Sequence, residues 1–262
     1  MSPLLDGQTA VVTGGGRGLG RATAEVMAAL GAHVVVASRN APELDEVVLA
    51  IKKAGGRALA YAADVADERQ VQELVFNTER WVGPPTVLVN NAGVVDPIAP
   101  LARTDATSWL RHLAINVGGP YLATRAVLPG MLERGYGRIV SISSGAATRP
   151  YPGWTAYGAG KAGLEQLMRT LAAEIEGTGV TACVLRPGRV DTQLQERVRR
   201  ASPDDFPEVE DFRETQRQGG LRDPQRVARV VAYLASPRAA RNGQIVELDE
   251  ALEREAAQAV GG

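Results

Sequence analysis

The chain is poor in residues that bind metals or form disulfides. Cys183 is its only cysteine, which excludes an internal disulfide and favours a reducing compartment. Besides that thiol there are only two histidines, His33 and His112. So few sulfur and imidazole ligands argue against a zinc site, and we expect no metal.

The sequence also lacks an excess of either charge and a long apolar run. It has 29 basic and 30 acidic residues, whereas proteins that bind nucleic acid usually carry a net basic face. No segment approaches the ~18 consecutive apolar residues of a membrane-spanning helix. The N-terminus also lacks the basic and apolar regions of a secretory signal. We therefore expect a soluble, cytoplasmic protein with neither a nucleic-acid nor a membrane partner.

Short β-branched runs alternate with helical patterns along the whole chain. The predicted strands cover residues 9–13, 33–38, 57–63, 86–90, 137–143, 180–185 and 243–248. The predicted helices cover residues 19–30, 42–54, 67–82, 155–177 and 224–235. A longer helical region, 104–134, is interrupted near Gly118-Gly119-Pro120.

Strands that are apolar throughout are buried on both faces, as in parallel sheets. Their strict alternation with helices predicts an α/β fold, a single doubly wound Rossmann domain. The seven strands would form one parallel sheet. We expect this domain to span residues 1–262, with an inserted polar segment at 193–222 after the sixth strand.

A glycine-rich turn, residues 13–20, joins the first strand to the first helix. Glycines allow the backbone to approach a phosphate, and the N-terminus of the helix supplies free N–H groups. The spacing is Gly-x3-Gly-x-Gly, and no Gly-Lys-Ser/Thr follows, which excludes a Walker loop. The turn predicts a dinucleotide site, with an ordinary tight turn as the alternative.

The end of the second strand bears on the choice of cofactor. Proteins that bind NAD usually carry an acidic residue about 20 residues after the glycines. Here residues 36–40 contain no carboxylate but include Ser38 and Arg39, and Arg17 lies in the turn. Guanidinium groups bind phosphate well, so we predict NADP(H) over NAD(H). The alternative is that both arginines are ordinary solvated surface residues.

Three further residues have the chemistry of a proton-transfer site. Tyr157 and Lys161 are four apart at the start of a predicted helix and share one face. The ammonium of Lys161 is expected to lower the pKa of the Tyr157 phenol, which is ordinarily near ~10. Ser144 ends the fifth strand, where ligands bind in such sheets, and its hydroxyl would polarise a carbonyl.

These motifs resemble, in order, those of the short-chain dehydrogenase/reductase family. The matching residues include the turn at 13–20, Asp64-Val65, Asn90-Asn91-Ala92-Gly93, Asn116, Ser144, Tyr157, Lys161 and Pro187-Gly188-x-Val190-x-Thr192. The resemblance implies that Tyr157 is the general acid or base and that Ser144 orients the carbonyl. Lys161 would assist Tyr157 and bind the nicotinamide ribose, and Asn116 would hold a water that links Lys161 to solvent.

The resemblance also implies a set of cofactor-binding residues. They are Gly14, Gly16, Arg17, Gly18, Leu19, Gly20, Ser38, Arg39, Asp64, Val65, Asn91, Ala92, Gly93, Tyr157, Lys161, Pro187, Gly188, Val190 and Thr192.

Residues 193–222 are similar, more locally, to the corresponding segment of sepiapterin- and benzil-type reductases. In the family this segment covers the substrate. Ser144, Tyr157, Trp154 and Leu194 are the predicted substrate contacts. Tyr151, Phe206 and Phe212 would add apolar surface for a bulky carbonyl compound. His112 is expected to be packed or solvated rather than a ligand, and Cys183 to be a buried structural thiol.

The family resemblance implies a homodimer or homotetramer built on the helical faces at 108–134 and 155–177. After the seventh strand the chain departs from the usual family ending, which puts tetramer assembly in doubt. The polar residues there suggest a short terminal helix or a frayed tail.

The resulting prediction is an NADP(H)-dependent oxidoreductase that interconverts a small-molecule carbonyl compound and a secondary alcohol. Two alternatives stay open: an NADP-binding regulatory or scaffold protein without turnover, and a 3-oxoacyl thioester reductase. An extended-type epimerase or dehydratase would need a longer C-terminal substrate domain than this chain has room for.

Overall fold

A computed structural model describes residues 3–261 of the chain. Seven strands form one parallel sheet in the order β3-β2-β1-β4-β5-β6-β7. The strands are β1 Thr9–Thr13, β2 His33–Ser38, β3 Arg57–Ala62, β4 Val87–Asn90, β5 Gly137–Ile142, β6 Val180–Arg186 and β7 Ile245–Glu247. The single Rossmann-like domain with a seven-stranded parallel sheet is thereby confirmed.

Ten α-helices accompany the sheet in the described residues. They are α1 Gly18–Ala29, α2 Ala41–Lys53, α3 Glu68–Trp81, α4 Ala106–Leu113, α5 Gly119–Glu133, α6 Thr155–Glu174, α7 Gln193–Arg199, α8 Val209–Arg217, α9 Pro224–Leu234 and α10 Glu250–Gly261.

The apolar core lies on both faces of the sheet. On one face α1, α2, α9 and α10 cover the strands, and on the other α3, α5 and α6 do so. The central strands β1, β4 and β5 are buried along their whole length, which explains why most of their residues are apolar. Cys183 of β6 is packed in this core, and burial raises the pKa of its thiol to about 12.

The strand order reverses between β1 and β4. Ligands of doubly wound sheets bind at such a point, outside the carboxyl ends of the strands. The glycine-rich turn follows β1, and the Asn90–Gly93 loop follows β4. The topology therefore brings both motifs to the same end of the sheet.

The helical region predicted at 104–134 is interrupted by a π-helical turn over Ala114–Gly118, between α4 and α5. The interruption lies just before Gly119-Pro120, close to its predicted place, and it contains Asn116. A π-turn adds one residue to a helical turn and often marks a functional site.

The polar segment at 193–222 is largely helical, which its sequence did not predict. Its amphipathic helix α8 packs Val209 and Phe212 inward. Five ion pairs join the segment to the rest of the domain: Arg197 with Asp96, Arg103 with Asp205, Arg149 with Glu208, Arg189 with Asp211, and Arg222 with Glu253. The C-terminal residues form α10, whose Leu252 and Ala256 are buried in the core, so the helix was the correct alternative there.

Among the described residues, 3–261, no helix is both long and apolar enough to span a membrane.

Candidate active site

The glycine-rich turn has a backbone that only glycine permits. Gly14 and Gly18 have φ angles of +65° and +52°. A Cβ at Gly20 would lie 2.1 Å from the Gly14 carbonyl oxygen, and one at Gly14 would lie 2.8 Å from Ala92 Cα. Arg17 precedes α1 without a side-chain cap on the first N–H groups. The turn therefore brings bare backbone and a helix N-terminus to one place, which suits a pyrophosphate.

A cleft of about 700 Å³ extends from this turn along the carboxyl ends of the strands to α7 and α8. Every predicted cofactor residue lines it, as do the predicted substrate contacts Ser144, Trp154, Tyr157 and Leu194. Asn116 lies just behind the wall, because a Cβ at Gly93 would meet its Oδ1 at 2.8 Å. The structure thus brings together residues that are up to 180 positions apart in the chain.

Ser144, Tyr157 and Lys161 lie together in the cleft. Ser144 follows β5, and its Oγ accepts a hydrogen bond from the Ala146 N–H at 3.2 Å. Tyr157 and Lys161 are in the first two turns of α6 and are both buried. Lys161 Nζ donates to the Ile142 carbonyl at 2.8 Å and lies 5.7 Å from the centroid of the Tyr157 ring.

The pKa of Tyr157 is shifted upwards, whereas the sequence predicted a downward shift. Burial raises the pKa of its phenol, and a hydrogen bond with Ser144 offsets this only in part. In this arrangement the ammonium of Lys161 donates to the Ile142 carbonyl rather than to the Tyr157 phenol. Burial lowers the pKa of Lys161 to about 8, against the opposing effect of Glu165.

Glu165 forms a buried charge network beneath Lys161, one helical turn further along α6. Its carboxylate accepts two hydrogen bonds from Arg186 of β6, at 2.7 and 2.8 Å, and one from Ser143 Oγ at 2.7 Å. A charge this deeply buried is tolerated only when it is paired and hydrogen-bonded. The network fixes α6 against β5 and β6, and with them the position of Lys161.

The end of the cleft beside the glycine-rich turn, where the adenosine of a cofactor is expected, contains a carboxylate that was not predicted from the sequence. Glu43, in the first turn of α2, lines the cleft with Ser38 and Arg39. Its Oε2 would lie 3.2 Å from a Cβ at Gly16, and its Oε1 is 3.9 Å from Arg17 Nη1. Residues 36–40 contain no acidic side chain, but Glu43 still brings a negative charge to this end of the cleft.

The carboxylate of Asp64 is held by a hydrogen bond and an ion pair within the protein. Its carboxylate accepts a hydrogen bond from the Ala66 N–H at 3.0 Å and pairs with Arg111 of α4. No local pattern marks Arg111 as a partner of Asp64, because the contact spans 47 positions and depends on how α4 packs.

The part of the cleft around Tyr157, where the substrate is expected, is aromatic. Trp154 packs against Tyr157 with 4.9 Å between ring centroids, and Tyr151 and Phe212 line the cleft beside it. Phe206 was expected to contribute surface, and that prediction was wrong. It is fully buried behind Trp154, 4.5 Å away between centroids, because it anchors the 193–222 segment to the domain.

His112 is packed rather than solvated. It is almost fully buried, and its ring meets the Tyr157 ring edge-on at 6.0 Å. Among residues 3–261 no group of three or more histidine, cysteine or acidic side chains could bind a metal ion.

Comparison with known proteins agrees with this geometry. The short chain dehydrogenase family profile matches residues 8–203. A short chain dehydrogenase of Pseudocercospora fijiensis is 41% identical over 203 residues, which cover 77% of this chain and 63% of that protein. The chain thus matches less than two thirds of that relative's length.

Two further proteins match over nearly the whole length of both chains. A 3-oxoacyl-[acyl-carrier-protein] reductase of Synechocystis is 36% identical over 94% of this chain and 96% of its own. A 3-oxoacyl (acyl-carrier-protein) reductase from Agrobacterium tumefaciens, solved with NADP bound, is 31% identical, with a TM-score of 0.82 and 93% of each chain covered. The chain therefore belongs to the short-chain dehydrogenase/reductase family, whose members are NAD(P)-dependent oxidoreductases.

Proposed function

We propose that the chain transfers a hydride between NADP(H) and a carbonyl compound or secondary alcohol, with Tyr157 as general acid or base. One observation carries this proposal: Ser144, Tyr157 and Lys161 meet in the cleft that also contains the glycine-rich turn. A protein that only binds a dinucleotide needs the turn but has no need of a buried tyrosine and lysine beside a serine hydroxyl.

A bound nicotinamide cofactor would supply the hydride. The turn, Lys161 and the residues after β6 would hold it, as the bare backbone of the turn suits a pyrophosphate. In reduction, Ser144 Oγ would donate a hydrogen bond to the substrate carbonyl, and Tyr157 would give its phenolic proton to that oxygen. Burial keeps Tyr157 in its protonated, donating form at neutral pH. Lys161 would stabilise the phenolate that remains, and the proton would return through the water expected at Asn116.

The substrate that fits best is a bulky, apolar carbonyl compound. Tyr151, Trp154 and Phe212 give the cleft three aromatic side chains next to Tyr157, and Leu194 of α7 faces them. Residues 193–222 would cover such a substrate and set its size. The predicted local similarity to sepiapterin- and benzil-type reductases points to the same substrate class.

A 3-oxoacyl thioester is the second candidate substrate, favoured by the names of the Synechocystis and Agrobacterium relatives. Oxidation of NADPH and NADH should be followed with aromatic diketones, simple ketones and 3-oxoacyl thioesters. We expect the highest kcat/KM for NADPH with an aromatic diketone. Preference for the thioester would select the second candidate, and tight NADPH binding without any turnover would select the binding protein.

The preference for NADP(H) is proposed because Arg17, Arg39 and Ser38 surround the adenosine end of the cleft. Glu43 opposes it, since a carboxylate at this place repels a 2′-phosphate and accepts a hydrogen bond from a 2′-hydroxyl. Its ion pair with Arg17 is long, at 3.9 Å, so neither partner is fixed by the other.

Substitutions at these residues should change cofactor preference in opposite directions. We expect Arg39→Ala to lower kcat/KM for NADPH about tenfold, the loss of one charge-assisted hydrogen bond, and to change that for NADH little. Glu43→Gln should raise the NADPH/NADH ratio. Arg229→Ala, which removes an exposed arginine of α9 outside the cleft, is the matched control. An unchanged ratio in both cleft variants would contradict the assignment of this end of the cleft.

We further propose a cytoplasmic homodimer or homotetramer, in line with the sequence expectation. Leu110, Tyr121 and Leu132, on α4 and α5, are exposed apolar side chains that a second copy would cover.

A further inference from the structure

One buried titratable side chain has no part in the mechanism above. His112 lies on α4 with 1% of its surface exposed. Its Nδ1 is 2.7 Å from the Asp96 carbonyl oxygen, and its Nε2 is 2.5 Å from Asn116 Nδ2. A carbonyl oxygen only accepts and an amide nitrogen only donates. Nδ1 therefore carries the proton and Nε2 accepts, which defines one neutral tautomer.

The same contacts fix the side-chain amide of Asn116. Its Oδ1 accepts from the Val94 N–H at 3.1 Å, while its Nδ2 donates to the Val94 carbonyl at 2.9 Å and to His112. Turning the amide over would place its oxygen against the Val94 carbonyl and the unprotonated His112 nitrogen. The amide thus has one orientation, set jointly by His112 and the loop after β4.

His112 also touches the helix that bears the proton donor. Its ring meets that of Tyr157 at an interplanar angle of 86°. Gly160, between Tyr157 and Lys161, allows this approach, because a Cβ there would lie 3.3 Å from His112 Nε2 and from Asn116 Cβ. One imidazole therefore contacts both the π-turn with Asn116 and the Tyr157 ring.

We propose that His112 is a positioning residue: it holds the Asn116 amide and seats the Tyr157 ring in the geometry that proton transfer requires. The proposal rests on the proposed function, since it concerns the rate at which the Tyr157 proton is delivered and restored. His112 itself is not among the residues that line the cleft.

The arrangement depends on a neutral imidazole, because a proton on Nε2 would oppose the Asn116 amide protons. The charged and titratable groups that face His112 are Lys161 and Tyr157 of α6 and Asp96 of the loop after β4, whose carboxylate pairs with Arg197 of α7. Burial and the charge of Lys161 hold the pKa of His112 below its ordinary value. The geometry is therefore retained at neutral pH and is lost only in acid.

Variants of His112 test the role through activity. We expect His112→Phe, which keeps an aromatic ring, to lower kcat about tenfold and to remove the acidic fall of the kcat profile. KM for NADPH should change little. His112→Gln, whose amide oxygen can still accept from Asn116, should restore part of kcat. Wild-type kcat and pH profile in His112→Phe, or equal losses in both variants, would overturn the proposal.

Nuclear magnetic resonance tests the hydrogen bonds without any turnover. The chain has only two histidines, so a ¹⁵N-histidine sample gives two imidazoles, and His33→Gln assigns them. We expect the His112 ring to carry its proton on Nδ1, and a protonated Nε2 at neutral pH would overturn the proposal. Failure of the proposed function would instead appear as absence of turnover in the wild-type protein, with the His112 tautomer unaffected.

Discussion

Tyr157→Phe is expected to lower kcat by about 10²- to 10⁴-fold, the usual contribution of a positioned general acid. The substitution removes only the phenolic oxygen. The ring keeps its contacts with Trp154 and His112, so the fold and the cleft should be preserved. Steady-state kinetics with the best substrate of the panel, together with fluorescence titration of NADPH, measures the effect.

Tyr151→Phe is the matched control for this experiment. Tyr151 lines the same cleft and packs on the same tryptophan, but it lies outside the group formed with Ser144 and Lys161. We expect its kcat to stay within about twofold of wild type, because no proton transfer is assigned to it. Wild-type turnover in Tyr157→Phe would remove the basis for general acid catalysis and favour a binding protein.

Lys161→Met should abolish function but stabilise the fold. In the folded chain the Lys161 pKa is lowered from 10.5 to about 8, so holding its charge in the interior costs about 3 kcal/mol at neutral pH. Leaving the Ile142 carbonyl without its donor costs about 1 kcal/mol. We expect a net gain of about 2 kcal/mol in the free energy of unfolding at pH 7, measured by urea denaturation.

The stability difference between Lys161→Met and the wild-type protein should depend on pH. Between pH 8 and 10.5 the unfolded chain keeps the lysine proton that the folded chain has released, so wild-type stability rises with pH across this window. The advantage of the methionine variant should shrink over the same window and stay constant below it. Lys53→Met, at an exposed lysine of α2, should show neither effect. A difference that does not vary with pH would mean that the gain arises from packing alone.

The sequence predicted the sheet well because its signal is local. Each strand is a short apolar run, and each predicted strand agrees with the structure to within two residues at either end. The proposed catalytic residues were recognised for a similar reason, since Tyr157 and Lys161 lie one helical turn apart. The glycine-rich turn is likewise contiguous. Such local features can be recognised without knowing how distant segments pack together.

What the sequence did not predict depends on contacts between distant segments. Glu43 enters the cofactor end only because α2 packs beside the glycine-rich turn, and the acid expected from the family pattern would lie on the preceding strand. The direction of the Tyr157 pKa follows from desolvation, which is a property of the folded interior. The helices of 193–222 are polar in composition and become ordered by burying Phe206 and Phe212.

The buried thiol of Cys183 makes the chain convenient for site-specific labelling. Its thiolate fraction is negligible at neutral pH with a pKa of about 12, and maleimides react with the thiolate. A cysteine introduced at an exposed position of α8, such as Arg217→Cys, would therefore carry the only dye in the molecule. A fluorophore there would report movement of the 193–222 segment when nucleotide and substrate are added, with no need to remove a native cysteine.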